Sequence, residues 1–214
     1  MIYSHVDCNG VPLEIKLDMI FNGKEDGVFI ELGANDGLFQ SNTAFLEKSR
    51  GWKGILIEPS IKGYEECKVN RPNSICLNYA CVSNDYNSEF IYGDFENNHP
   101  MGSINGERLN SNNVCKIKAT TLESVLNNYN FTEIDFLSLD TEGYELNILK
   151  GLNLDKYRPK YMLIEIYTND YKSIVGFLSN KNYKLHSNFT NYSKVTNPHW
   201  DGTHNDYLFI DIGI

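Results

Sequence analysis

The stretch Val28-Phe29-Ile30-Glu31-Leu32-Gly33-Ala34-Asn35-Asp36-Gly37 decides the fold of this chain. It begins as a short apolar run, ends in a turn bounded by Gly33 and Gly37, and leads into a helical pattern at 43–48. A buried strand, a tight turn and a helix in this order form the first unit of an open parallel sheet. Because glycine has no side chain, the backbone of this turn can approach a ligand closely. We therefore expect a ligand site at the carboxyl end of the first strand.

The same alternation of strand and helix continues along the chain, which predicts a parallel sheet covered by helices on both faces. Further apolar runs predict strands at 54–58, 74–82, 134–140, 161–166, 183–185 and 207–211. Helical patterns lie at 61–71, 120–127, 143–150 and 173–178.

Several local signals refine these predictions. Thr120 and Glu123 have the spacing of a capping box, which predicts that a helix opens at Thr120. Gly151 suits the left-handed position after the helix at 143–150. A short strand at 89–92 is a further candidate, and 97–113 has the composition of a loop. We also expect a polar loop before the last strand. It holds His199, Trp200, Asp201, His204, Asn205 and Asp206.

Length and composition limit the classes of protein that remain. With 214 residues, 41% of them hydrophobic, the chain is expected to fold as a single domain, 1–214, with a cover segment at 1–27 and a catalytic core at 28–214. No apolar run reaches the length of a membrane span. The net charge of -9 makes nucleic acid an unfavourable partner. Five cysteines without a CxxC pair indicate reduced thiols, so we expect a cytoplasmic protein.

Two acids at strand ends indicate which ligand the turn would bind. Glu31 lies at the end of the first strand, and Glu58 ends the second, where a carboxylate can accept both hydroxyls of a ribose. The turn lacks the GxGxxG pattern of a dinucleotide site, and an acid beside it would repel a pyrophosphate. The same acid would attract the cationic groups of S-adenosylmethionine. The pattern therefore favours S-adenosylmethionine over NAD as the ligand. An NAD-dependent oxidoreductase is the alternative.

Several blocks of this sequence resemble the FkbM family of methyltransferases. The blocks are Phe29-Ile30-Glu31-Leu32-Gly33-Ala34-Asn35-Asp36-Gly37, Ser41-Asn42-Thr43, Phe45-Leu46-Glu47-Lys48, Gly51-Trp52-Lys53-Gly54-Ile55-Leu56-Ile57-Glu58-Pro59 and Asp135-Phe136-Leu137-Ser138-Leu139-Asp140-Thr141-Glu142-Gly143-Tyr144-Glu145. The resemblance implies an α/β, Rossmann-like class I methyltransferase fold. Its seven-stranded sheet would be mostly parallel, with an antiparallel last strand and helices on both faces. It also implies O-methylation of a small molecule or sugar.

Carried over by position, the resemblance implies a donor site composed of Glu31, Gly33, Asn35, Asp36, Gly37, Asn42, Thr43, Glu58, Ser60, Cys81 and Val82. The residues from 31 to 37 would border the methionine half of the donor, and Asn42 and Thr43 would hold its carboxylate at a helix start. Glu58 would bind the ribose. Cys81 and Val82 would flank the adenine, although Cys81 can equally be a packed core thiol.

Three acids are candidates for the chemistry at the methyl acceptor. Asp140 ends one strand, Glu142 follows it in the turn, and Glu165 lies near the end of the next strand. A hydroxyl needs a general base or a metal ion before it attacks. Clustered carboxylates also suit Mg²⁺ or Mn²⁺, for which Asp140 and Glu165 are the candidate ligands. Alternatively, Glu142 caps a helix and Glu165 pairs with a lysine. His204 is the weaker fourth candidate for a catalytic residue.

The sequence thus predicts a methyltransferase that uses S-adenosylmethionine to methylate a hydroxyl of a sugar or glycoconjugate. One alternative keeps the enzyme and changes the acceptor to another small metabolite or a nucleic acid. Another alternative is a module that binds S-adenosylmethionine without catalysis. The presence of all three candidate acids argues against it. We therefore expect the acceptor to be a small molecule or a glycan. The sequence leaves open whether the protein forms a homo-oligomer.

Overall fold

The computed structural model describes residues 2–95, 99, 101–106 and 114–213. Within these residues the strands are β1 Val28–Leu32, β2 Lys53–Ile57, β3 Ile75–Leu77, β4 Ala80–Cys81, β5 Phe90–Gly93, β6 Cys115–Thr120, β7 Phe136–Leu139, β8 Tyr161–Tyr167, β9 Tyr183–Asn188 and β10 His204–Asp211. The helices are α1 Leu13–Ile20, α2 Ala44–Arg50, α3 Ile61–Asn70, α4 Leu122–Tyr129, α5 Glu145–Lys150 and α6 Tyr171–Ser179. None of these helices has both the length and the apolar character needed to cross a bilayer. Most of the loop predicted at 97–113 lies outside the described residues.

The main sheet has seven strands in the order β3-β2-β1-β7-β8-β10-β9. Strands β3, β2, β1, β7 and β8 are parallel to one another, whereas β10 is antiparallel to both β8 and β9. The strand order changes direction between β1 and β7, which is where ligands bind in open parallel sheets. The predicted mostly parallel sheet with an antiparallel last strand is confirmed.

Helices cover both faces of this sheet. Successive side chains of each strand point to opposite faces, so each strand contributes to an apolar layer on either side. Ile30 and Leu32 of β1 pack with Leu126 of α4 and Ile148 of α5 on one face. Phe29 of β1 belongs to the other face. There it packs with residues of α1, α2 and α3, among them Leu13, Leu17, Leu46 and Cys67. Glu31 has the same parity along β1 as Phe29, which matters for its role below.

The apolar run predicted as one strand at 74–82 forms two strands in different sheets. It is interrupted at Asn78, whose Nδ2 donates to the carbonyl oxygens of Glu58 and Pro59 at 2.9 Å each. After this break, β4 leaves the main sheet and pairs with β6 in a three-stranded sheet, β4-β6-β5. The pattern at 83–118 did not indicate β6. The candidate strand at 89–92 corresponds to β5.

Three local predictions are wrong. Thr120 belongs to β6, and α4 is capped by Thr121, whose side chain accepts from the Ser124 N–H. Gly151 has a φ of -88° and is not left-handed; it is required because a Cβ there would lie 2.0 Å from the Val82 carbonyl oxygen. His204 begins β10, so the polar residues from 204 to 206 lie in a strand and not in a loop.

Candidate active site

A cleft of about 380 Å³ lies at the carboxyl ends of β1, β2, β7 and β8. This volume falls within the range of small-molecule sites. Nine of the residues predicted for the site line it: Gly33, Asn35, Glu58, Ser60, Cys81, Asp140, Glu142, Glu165 and His204. The cleft therefore brings the predicted ribose acid and the predicted acceptor acids together in one cavity.

The turn after β1 crosses the end of β7 at Gly33. The φ of Gly33 is +78°, and a Cβ at this position would lie 1.8 Å from the carbonyl oxygen of Asp140. No other residue type can adopt this position without moving one of the two strands. Gly33 thus fixes the distance between the donor turn and the acid that follows β7.

Glu58 is held by the backbone at the end of β2. Its Oε2 accepts the Asn35 N–H and its Oε1 accepts the Ser60 N–H, both at 2.7 Å. Ser60 also caps α3 through its side chain. Burial raises the pKa of the Glu58 carboxyl to about 7, although the two N–H donors act in the opposite direction. Each oxygen of an ionised carboxylate retains lone pairs for a further donor.

Glu31, Asn42 and Thr43 do not line the cleft. Glu31 points to the helix face shared with Phe29, where its Oε1 accepts the Asn42 N–H at 2.9 Å and its Oε2 accepts the Thr43 hydroxyl at 2.5 Å. The Asn42 N–H, two residues before α2, is therefore bonded within the protein, and the Ala44 N–H that opens the helix donates to Ser41 Oγ at 3.1 Å. The assignment of these three residues to the methyl donor stays a prediction, and the structure shows them as a support beneath the turn.

Arg71 organises this support from the end of α3. The side chain is fully buried, its Nε donates to Glu47 at 2.7 Å, and its Nη1 donates to the Gly37 carbonyl at 2.9 Å. A Cβ on Gly37 would lie 2.8 Å from Arg71 Cγ. Asp36 stabilises the next turn by accepting N–H groups of residues 38 and 39. Asp36 and Gly37 are thus placed behind the cleft wall and shape the turn.

Cys81 lines the cleft next to Val82, which is buried outside its wall. Burial raises the pKa of the Cys81 thiol to about 12, so this side chain is a neutral thiol at neutral pH. A neutral, apolar surface is what a flat heteroaromatic base packs against. The position agrees with both of the readings that the sequence left open for Cys81.

Asp140, Glu142 and Glu165 form the acidic cluster of the cleft. One carboxylate oxygen from each lies within 4.8 Å of the others. Burial, followed by the charges of neighbouring acids, raises the pKa of both Asp140 and Glu165 well above the usual range. Among the described residues, the buried Oε2 of Glu165 has no hydrogen-bond partner. A cluster of this kind needs a proton or a cation.

Tyr167 and His204 hold the outer oxygens of the cluster. The Tyr167 hydroxyl donates to Glu142 Oε2 at 2.5 Å, and His204 Nε2 lies 3.2 Å from Glu165 Oε1. Glu142 has a φ of +57°, an unfavourable backbone conformation for this residue type that often marks a functional position. Opposite Glu165 on β10 stands Asp206, whose pKa is raised by burial to about 6.

His5 is the main site residue that the sequence did not indicate. It lies more than twenty residues before β1, yet it lines the cleft, as do Phe39 and Gln40 from the end of the donor turn. Although His5 is an exposed residue, partial desolvation and the charge of the neighbouring His204 lower the pKa of its imidazole. Other unpredicted wall residues are Tyr79, Phe95, His99, Met101 and Tyr144.

The sheet order and the position of the cleft are those of a class I methyltransferase, which is the class of protein that this structure defines. Residues 31–185 match the family described as "Methyltransferase FkbM domain". The match covers more than half of the chain, and the protein therefore belongs to the FkbM methyltransferase family. It is accordingly an S-adenosylmethionine-dependent methyltransferase, as the sequence predicted.

Several solved structures similar to this chain are described as methyltransferases, and their sequence identity to it is low. The methyltransferase domain of bacterial CtHen1-C is 9% identical with a TM-score of 0.52, and the alignment covers 96% of this chain and 99% of that one. A TehB-like methyltransferase from Corynebacterium glutamicum is 11% identical, with coverage of 93% and 87% and a TM-score of 0.47. The first of these likenesses supports the fold alone. A search of curated proteins finds no significant match to this chain.

Proposed function

We propose that this protein transfers the methyl group of S-adenosylmethionine to a hydroxyl of a sugar or glycoconjugate. The observation that carries the proposal is the placement of Glu58 and the Asp140 cluster in one cleft. The donor nucleoside would bind at the first and the acceptor hydroxyl at the second. Bound there, S-adenosylmethionine supplies an electrophilic methyl group.

The chain provides the donor half of the site through the backbone of the turn and through Glu58. The two N–H groups that hold Glu58 leave its remaining lone pairs for the two hydroxyls of a ribose. Gly33 lets the turn pass close to Asp140, and Cys81 would offer an apolar surface to the adenine. Ser60 stabilises the same corner by capping α3.

The acceptor half would use Asp140 as the group that orients a hydroxyl and removes its proton. Its raised pKa brings the carboxyl closer to the range in which a general base works near neutral pH. Glu165 and His204 would share the charge that develops, since they contact each other at 3.2 Å. Alignment of donor and acceptor in a partly closed cleft supplies much of the rate enhancement in a displacement of this kind.

A divalent cation bound to the same acids is the alternative to proton removal by Asp140. Three carboxylate oxygens within 4.8 Å of one another, one belonging to a residue with a buried unpartnered atom, are suitable ligands for Mg²⁺ or Mn²⁺. Asp140 and Glu165 would hold the ion, with Glu142 as the third ligand. The ion would lower the pKa of an acceptor hydroxyl.

The test is methyl transfer from tritiated S-adenosylmethionine to a panel of methyl glycosides, with a phenol, an amino alcohol and a short RNA as other acceptor classes. We expect transfer to at least one glycoside. Transfer only to another class would contradict the sugar acceptor, and failure to bind S-adenosylhomocysteine would contradict the donor site.

Two variants of the experiment separate the roles of the acids. Asp140→Asn should retain affinity for S-adenosylhomocysteine and lose turnover, because the amide is no base. Equal turnover would remove Asp140 from the mechanism. Excess EDTA distinguishes the two mechanisms: turnover that EDTA abolishes and Mg²⁺ or Mn²⁺ restores supports the cation, whereas activity that EDTA leaves unchanged eliminates a catalytic cation.

A further inference from the structure

The N-terminal segment, residues 2–12, is fixed on both sides of His5. The N–H groups of Tyr3 and Ser4 both donate to Glu14 at 2.9 Å. The carbonyl oxygen of His5 itself accepts the Leu13 N–H at 2.9 Å, and the Cys8 N–H donates to Thr190 at 2.8 Å in the connection before β10. The segment is thus bound both to the helix that follows it and to the C-terminal part of the protein.

These contacts place the His5 side chain in the wall of the cleft. His5, Gln40 and His204 line the same cleft, and His204 is close enough for its charge to contribute to the lowered pKa of the His5 imidazole. His204 in turn contacts Glu165. His5 therefore faces the acceptor acids, whereas the adenine side of the cleft is formed by residues near Cys81.

The neighbours of His5 form a mixed polar and aromatic surface. Phe39 is 52% exposed, although it is a large apolar side chain, and it lines the cleft beside Gln40. The backbone of Gln40 has a φ of +59°, an uncommon conformation for this residue type. An exposed aromatic ring next to hydrogen-bonding side chains suits a polyol, which has apolar C–H faces and hydroxyl edges.

The position of His5 relative to the family match is informative. Glu58, Asp140 and Glu165 lie within the matched residues 31–185, whereas His5 and His204 lie outside them. Both histidines nevertheless line the same cleft as the matched acids. The shared part of the family thus contains the donor acid and the acceptor acids, and the two histidines are added by segments on either side.

We propose that His5 contacts the acceptor and that the N-terminal segment thereby completes the acceptor subsite, together with Phe39 and Gln40. The inference rests on the proposed function and extends it, because it assigns recognition of a neutral hydroxyl-bearing acceptor to a residue outside the family match. His5 would hydrogen-bond a hydroxyl next to the one that is methylated, while the acids act at the reacting hydroxyl.

The test compares His5→Ala, His5→Gln and the control His186→Ala, whose side chain lies on β9 and bonds the neighbouring Ser187. For the best acceptor in the panel, His5→Ala should raise KM about tenfold, as the loss of one hydrogen bond predicts. Its affinity for S-adenosylhomocysteine and its melting temperature should match those of the wild type. His5→Gln should recover most of the loss, because the amide retains a hydrogen-bonding group, and His186→Ala should change nothing.

Several results would overturn this inference. An unchanged acceptor KM in His5→Ala contradicts it directly. A weaker affinity for S-adenosylhomocysteine together with a lower melting temperature would show that His5 only supports the fold. If the best acceptor is not a sugar, the proposed function fails, yet the KM comparison with that acceptor still decides the role of His5. A wild-type protein that binds S-adenosylhomocysteine and methylates no member of the panel contradicts both proposals.

Discussion

The buried carboxyl of Glu58 should make donor binding depend on pH. Its pKa is raised to about 7 by burial, so near neutral pH the side chain is partly protonated in the free protein. A ribose offers two hydroxyl donors, which bind the ionised carboxylate better than the carboxylic acid. Binding should therefore release a proton, and affinity should rise with pH until Glu58 is fully ionised.

The expected magnitude follows from the pKa. Below a pKa of about 7 each pH unit reduces the ionised fraction about tenfold, which corresponds to about 1.4 kcal/mol. Affinity for S-adenosylhomocysteine should thus be about tenfold weaker at about pH 6 than at about pH 8, and constant above that. S-adenosylhomocysteine is the suitable ligand because its neutral sulfur does not perturb the acids around Asp140.

Titration calorimetry in buffers of different ionisation enthalpy measures both the affinity and the proton release. Glu58→Gln should weaken binding by about ten- to a hundredfold, because its amide NH₂ must face either the Asn35 or the Ser60 N–H. It should also remove the pH dependence. Asp206→Asn is the matched control, since it removes another buried acid, with a pKa of about 6, and should keep the slope.

Two outcomes would refute this reasoning. A wild-type affinity that is constant between about pH 6 and pH 8 would show that the donor does not discriminate between the two forms of Glu58. An identical slope in Glu58→Gln would assign the titration to another group.

Three substitutions test the elements that support the cleft. Gly33→Ala should abolish binding of S-adenosylhomocysteine and lower the melting temperature, because its Cβ would lie 1.8 Å from the Asp140 carbonyl oxygen; normal binding would show that the turn relaxes freely. Arg71→Ala should lower the free energy of unfolding by about 3–5 kcal/mol in denaturant titrations, since it leaves Glu47 buried without its cation. Leu17→Ala should cost about 2–5 kcal/mol, because this α1 side chain is fully buried; a loss below about 1 kcal/mol would show that α1 is dispensable.

The sheet and its acids could be predicted because the central strands are continuous apolar runs. Such runs are typical of strands buried on both faces, and Glu58 and Asp140 directly follow two of them. The same continuity hid the break between β3 and β4. That break depends on Asn78, which reaches two carbonyl groups of another strand end, and such a contact leaves no periodic signal.

The orientation of individual side chains was less predictable. In a strand covered on both faces, the sequence does not show which alternate residues face which layer, so the direction of Glu31 toward α1, α2 and α3 could not be inferred. His5 was inaccessible to local reasoning, because it meets His204 only after the intervening residues have folded. Gly151 illustrates a further limit. Glycine is required there because a Cβ would clash with the Val82 carbonyl oxygen, and its own φ does not require glycine.

The place of β10 in the sheet has a consequence for biosynthesis. This strand lies between β8 and β9 although it follows both in the chain, and it carries His204 into the cleft. While the ribosome has delivered only the residues up to β9, the edge of β8 has no partner and exposes hydrogen-bonding groups that favour aggregation. Nascent chains stalled before residues 204–211 should therefore depend on chaperones.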